Sequence, residues 1–142
     1  MPTYLMEDAS FDLLDVGFDD QTIHLLESSA GGHVGKILVD RGRLKPGAST
    51  PDFARARSLR DAKAFDGWKV LAERESDHGG VLVSEIAARF RAEDETMYQR
   101  RAHFVIDGSA IAITARGAFA ASAEIDAWMD QVLGTLRFRA NT

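Results

Sequence analysis

The residues of this chain that could do chemistry are four histidines, a handful of carboxylates, and a glutamine–arginine–histidine run near residue 100. His24, His33, His78 and His103 could bind a metal or move protons. None stands at HxH or HExxH spacing, and two fall in turn-like stretches, which favours structural or surface roles. A serine nucleophile would need a strained turn such as GxSxG, and the sequence contains none. Gly31-Gly32 and Gly79-Gly80 fit hairpin turns better than phosphate loops, because neither belongs to GxGxxG or GxxxxGK[ST]. Glu73, Glu75, Glu85 and Asp94 could supply a carboxylate pair, but among this many acids a chance pair is expected before an acid–base dyad. The expectation is a protein that is not an enzyme, with no cofactor and no metal.

Bulk composition narrows the class. The chain has 142 residues, 45% apolar and 27% charged, with a net charge of −5. That fits one domain with a real core, residues 1–142. The charge lacks the basic footprint of a nucleic-acid binder, and Arg100-Arg101 is too short a basic run to supply one. There is no cysteine, so disulfide frameworks and cysteine-based zinc sites are excluded. The opening MPTYLMEDASFD has no basic segment followed by an apolar core. No stretch reaches the roughly 20 apolar residues of a spanning helix. A cytoplasmic protein with no direct membrane insertion is expected.

The elements that position these residues follow from pattern. The stretch Met97 to Thr114, MYQRRAHFVIDGSAIAIT, reads as two strands joined by Asp107-Gly108, suited to a type I′ turn. Along its first strand Gln99 shares a face with Arg101, His103 and Val105. Tyr4 to Leu14 is expected to start the sheet or lie along its edge. Gln21 to Glu27 and Val34 to Asp40 read as a hairpin across the turn residues Ser28 to Gly32. Thr50 is a candidate cap, with Pro51 and Asp52 suited to a first helical turn. Phe53, Ala56 and Leu59, with Ala62 or Lys63, would form one helix face, and Gly67 would stop the helix. Trp68 to Ser76 and the alternating Val81 to Arg91 continue a meander. From about Ser122 to Leu133, Ile125, Trp128, Met129, Val132 and Leu133 recur at helical spacing. Trp68 and Trp128 are read as core residues.

The order is β-β-α-β-β-β-β-α, an α+β fold in which a curved antiparallel sheet carries two helices on one face. Its other face must meet water, a partner or another sheet. Ile23, Leu25, Ile37, Val39, Val105, Ile111 and Ile113 supply more apolar strand positions than two modest helices obviously need. Either a curved sheet buries them all or one face is a working surface.

The ordered segments YLMEDASFDL, DDQTIHLLE, KILVDRGRLKPG, TPDFARARSL, MYQRRAHFVIDGSAIAIT and AWMDQVLGTLRF span nearly the whole chain. In order and spacing they resemble the Eag-type effector-associated chaperones of bacterial type VI secretion, related to DcrB and sharing a PsbP-like fold. The resemblance implies a cytoplasmic homodimer that shields the apolar N-terminal transmembrane helices of a secreted effector until it is loaded on the secretion spike. It implies a client-binding groove formed by Ile23 and Leu25 on a strand, Leu59 and Ala62 on a helix, and Gln99 with Val105 on the hairpin. Ser58 stands where many relatives carry a second glutamine, which puts a paired-glutamine contact in doubt. The alternative is a PsbP- or DcrB-like accessory protein without a groove or chaperone activity, or a small-ligand-binding or catalytic protein, which predicts a closed pocket with convergent polar groups.

Overall fold

Tight turns build the central meander. Strands β5 (Asp66–His78) and β6 (Val81–Ala92) are joined by Gly79 and Gly80, at φ 62° and 89°. Positive φ at both central positions is what a type I′ turn demands, and glycine meets it without strain. The Asp77 carboxylate accepts the Gly80 N–H at 2.8 Å and locks the bend. Strand β7 (Glu95–Ile106) follows through Glu93 and Asp94, also at positive φ. It pairs with β8 (Ser109–Ala118) so that Ile106 faces Ser109. The computed structural model describes residues 3–5, 9–12, 23–27, 33–43, 49–106, 109–135 and 137–138, so Asp107 and Gly108, the expected turn, lie outside the described residues.

Two further strands, β3 (Ile23–Glu27) and β4 (His33–Arg43), complete an antiparallel six-stranded sheet of order β3-β4-β8-β7-β6-β5. Helix α1 (Thr50–Ala64) is the crossover between β4 and the far edge strand β5, and it packs on β5, β6 and β7. Helix α2 (Ser122–Gly134) follows β8 through a short 3₁₀ turn, Phe119–Ala121, and packs on β7, β8 and β4. The α+β class and the core strand–helix order are as the sequence predicts.

The placement of the helices is not. They were expected on one face, and they lie on opposite faces. Beneath α2, Ile125, Trp128, Met129, Val132 and Leu133 pack with Ile37, Val39, Tyr98, Ala102, Phe104, Ile111 and Ile113. Beneath α1, Phe53 packs with Ala110, Ala112 and Val105. Residues 83–88 of β6 are therefore buried without alternation, because each side of the strand meets a layer. Four apolar positions that had seemed surplus, Ile37, Val39, Ile111 and Ile113, are core beneath α2.

Local differences have local causes. The cap of α1 is Ser49, not Thr50: Ser49 Oγ accepts the Asp52 N–H and the Asp52 carboxylate accepts the Ser49 N–H, a reciprocal capping box. Gly67, expected to stop α1, already belongs to β5, where its φ of 65° serves an irregularity in register between Asp66 and Lys69. The first segment does not join the main sheet. Its strands β1 (Thr3–Leu5) and β2 (Ala9–Asp12) form a separate three-stranded sheet with β9 (Arg137–Phe138).

Candidate functional site

Strand β7 is the hub, because its alternating side chains serve the two faces in turn. Toward α2, the Arg100 guanidinium donates through Nε to Glu85 Oε1 at 2.7 Å, pairs through Nη2 with Asp130 Oδ1 at 2.7 Å, and donates through Nη1 to the Asp126 carbonyl at 3.2 Å. Burial alone would weaken its hold on the proton, but the bonds to Glu85 and Asp130 outweigh burial and raise its pKa. Tyr98 donates its hydroxyl to Asp126 Oδ1 at 2.5 Å. Burial first, and that hydrogen bond second, push its pKa above the ordinary phenol value.

Toward α1 lies the face expected to hold the groove. Arg101 donates through Nε to Thr114 Oγ1 at 2.8 Å and through Nη1 to the Asp61 carboxylate of α1. His103 Nδ1 lies 2.9 Å from the Ser84 carbonyl, which can only accept, so that nitrogen carries the proton. The Phe53 ring meets the His103 ring edge-on, with centroids 5.3 Å apart. Gln99 is 1% exposed. Its Oε1 accepts from Nε and Nη2 of Arg116 at 3.1 and 2.8 Å. The Arg116 guanidinium lies 5.1 Å from the Phe65 ring centre and 5.5 Å from that of Phe90. Burial, then the nearby charge of Arg101, lower its pKa.

Backbone register aligns the other expected site residues. Leu25 pairs with Lys36, Lys36 with Arg116, and Arg116 with Gln99. Ile23 pairs with Leu38, Leu38 with Thr114, and Thr114 with Arg101. Two adjacent cross-strand rows thus connect Ile23 and Leu25 with the Gln99 strand. The side chains of Ile23 and Leu25 lie outside the described residues. Val105 is half-buried against Phe53.

The buried face of α1 differs from the expected face of Phe53, Ala56 and Leu59. Leu59 is 67% exposed and Ala62 is exposed, while Ser58 is half-buried. The buried positions of α1 are Thr50, Phe53, Ala54 and Asp61. The buried Asp61–Arg101 pair turns that side of α1 to the sheet, which leaves Leu59 on the solvent side. Sequence reasoning missed Arg116, Phe65 and Phe90. Arg116 was detectable, since it faces Gln99 once the hairpin register is drawn. Lys36, Phe65, Phe90, Met97, Arg116 and Ala118 line an open cleft of about 510 Å³ on this face. Among the described residues, no group of three or more His, Cys, Asp or Glu side chains could hold a metal ion, and no helix is long and apolar enough to cross a membrane.

Comparisons with known proteins agree with this architecture. A Pseudomonas aeruginosa protein of unknown function, PA94, described as a putative regulator, superposes with a TM-score of 0.71 at 17% identity, over 98% of this chain and 97% of its own. LpqN of Mycobacterium tuberculosis, described as involved in cell envelope biogenesis, gives 0.63 at 14% identity over 93% and 83%. Cyanobacterial PsbP (CyanoP) from Synechocystis sp. PCC 6803 gives 0.62 at 10% over 92% and 86%. At these identities the likeness is one of fold, and that fold is PsbP-like. No curated protein matches by sequence. A profile of the DcrB family matches residues 9–135, most of the chain. The chain belongs to the DcrB family.

Proposed function

We propose that this protein is a cytoplasmic, non-catalytic chaperone that shields the apolar N-terminal transmembrane helices of a type VI secretion effector, acting as a homodimer. The observation that carries the reading is the pair of cross-strand rows that brings Ile23 and Leu25 into register with Gln99 on one sheet. Helix α1 packs on β5, β6 and β7, while Lys36 and Leu38 on β4 stay half-buried on the same face. This placement supports a trough beside the helix. In it Gln99 acts beneath Arg116, and exposed Leu59 is open to contact from the helix side.

The magnitudes suit the task. Covering about 1,000 Å² of apolar client surface yields on the order of 25 kcal/mol gross. Ordering and association entropy remove much of it, and the remainder still holds a helix out of water. One small domain offers limited concave surface, and a symmetric pair is the usual solution.

A second reading draws on LpqN, which shares the fold and is described as involved in cell envelope biogenesis: an envelope-associated accessory protein that uses the same cleft for a small ligand.

The test is co-expression with the apolar N-terminal segment of an effector encoded beside this protein, followed by affinity purification and native mass measurement. The chaperone reading expects a soluble complex containing two copies of this chain. An insoluble segment, with this protein purifying alone as a monomer, rejects it.

A further inference from the structure

The cleft on the Gln99 face contains a charge arrangement that its own residues leave unbalanced. Lys36 and Arg116 stand directly opposite each other across β4 and β8. Like charges at paired positions repel. Both side chains are half-buried, which adds a desolvation cost. The hydrogen-bond partner of Arg116 is the neutral amide oxygen of Gln99, and its flanking rings are Phe65 and Phe90. Among the described residues no carboxylate lies within ion-pair distance of Arg116, and Nη1 makes no hydrogen bond. Arg100 and Arg101, on the neighbouring strand, are each held by an acid.

The surroundings are apolar. Phe65, at the end of α1, forms one wall, and Phe90, Met97, Ala92 and Ala118 line the rest. Glu95, the one acid of the lining, belongs to the β6–β7 hairpin end, paired with Ala92 and two residues beyond Met97. The field therefore runs from positive at Arg116 and Lys36 to negative at the hairpin. The volume of about 510 Å³ lies in the range of small-molecule sites.

We propose that this cleft binds a linear aliphatic carboxylic acid, with its carboxylate on Arg116 and Lys36 and its chain along Phe65, Phe90 and Met97 toward the hairpin. The carboxylate separates two cations that otherwise repel, and it occupies the donor that Gln99 leaves open. Guanidinium suits this role, since its planar fork matches a carboxylate. The apolar chain covers Phe65 and Met97, which are half-buried, above the buried Phe90 ring. The site goes beyond the chaperone reading and does not require it, because a free acid needs no effector.

The test is calorimetric titration of the whole protein with decanoate, acetate and decyltrimethylammonium at neutral pH. Trp68 serves as a second reporter, because its ring stacks on Phe65 with centroids 6.0 Å apart. Decanoate is expected to bind and to change Trp68 emission, with acetate and the cation weaker by about tenfold or more, since each lacks one half of the recognition. Arg116→Gln, checked for folding by near-ultraviolet circular dichroism, is expected to lose about tenfold for decanoate and little for the cation. Equal binding of decanoate and decyltrimethylammonium would reduce the cleft to a nonspecific apolar contact and overturn the proposal. A Leu-Ala helical peptide bearing one Glu, compared with its Gln counterpart, distinguishes the other source of a carboxylate. Selective binding of the Glu peptide without decanoate binding overturns the free-acid assignment and leaves the chaperone reading standing.

Discussion

At the scale of single residues, β7 separates two neighbouring arginines into two jobs. Arg100 ties α2 to the sheet and Arg101 ties α1. The Arg101–Asp61 pair is buried on both sides, so removing one partner strands a charge away from water. Asp61→Ala is expected to cost about 3–5 kcal/mol in urea unfolding, whereas Arg74→Ala, whose bridge to Glu85 is exposed on the arginine side, should cost about 0–1. Similar costs for the two would show that the buried pair does not anchor α1. Tyr98 gives a pH signature. Its pKa is raised in the folded state, so its contribution is whole below the unfolded value of 10.0 and declines as pH rises from there toward the folded value. Tyr98→Phe should be less stable than the parent by about 1–2 kcal/mol at neutral pH, with the gap narrowing above about pH 10. A gap independent of pH between 8 and 11 would contradict this assignment, checked by urea midpoints across that range.

At the scale of elements, close approach and caps decide more than hydrophobic pattern. Gly35 of β4 faces Gly117 of β8, and a Cβ at Gly35 would run into the Arg116 backbone carbonyl. A backbone neighbour cannot swing aside as a side chain can. Gly35→Ala should therefore destabilise by about 1–3 kcal/mol and broaden the β4 and β8 amide resonances. An alanine variant as stable as the parent would mean the strands separate there at no cost. The two helices differed in how readable they were, and the reason is physical. Helix α2 buries a pure apolar stripe, so the spacing of Ile125, Trp128, Met129, Val132 and Leu133 reveals both its existence and its inward face. Helix α1 buries Phe53 together with Asp61, and its orientation depends on an arginine 40 residues away. No local periodicity carries that information, so an apolar reading chose Leu59, which faces solvent. The same limit applies to the candidate cleft. Gln99 was visible on its strand, but Arg116 becomes its partner only through the β7–β8 register, and Phe65 arrives only where α1 ends.

At the scale of the whole molecule, the choice between one face and two was not encoded in any single segment. Short turns fix the β5–β8 meander as antiparallel, and both sides of its inner strands are apolar enough to be covered. Which side each helix takes depends on the crossover from β4 to β5 and on the return after β8. This division between local and distant pairing has a kinetic consequence. The strands of β5–β6, β6–β7 and β7–β8 are each separated by two residues, whereas α1 and the whole of β5–β7 lie between β4 and β8 in the sequence. Loop closure is more costly for the β4–β8 pairing, so the meander with α2 is the natural nucleus and β4 docks late. Phe104→Leu in β7 and Ile37→Val in β4 are both wholly buried probes. In chevron measurements the first should mainly slow folding, and the second should mainly speed unfolding, at a stability cost of about 0.5–1.5 kcal/mol for Ile37→Val. If Ile37→Val instead slows folding as strongly as Phe104→Leu, then β4 is paired in the transition state and the long crossover closes early. In that case the face beside α1, with its cleft, would be assembled with the nucleus and not added to it.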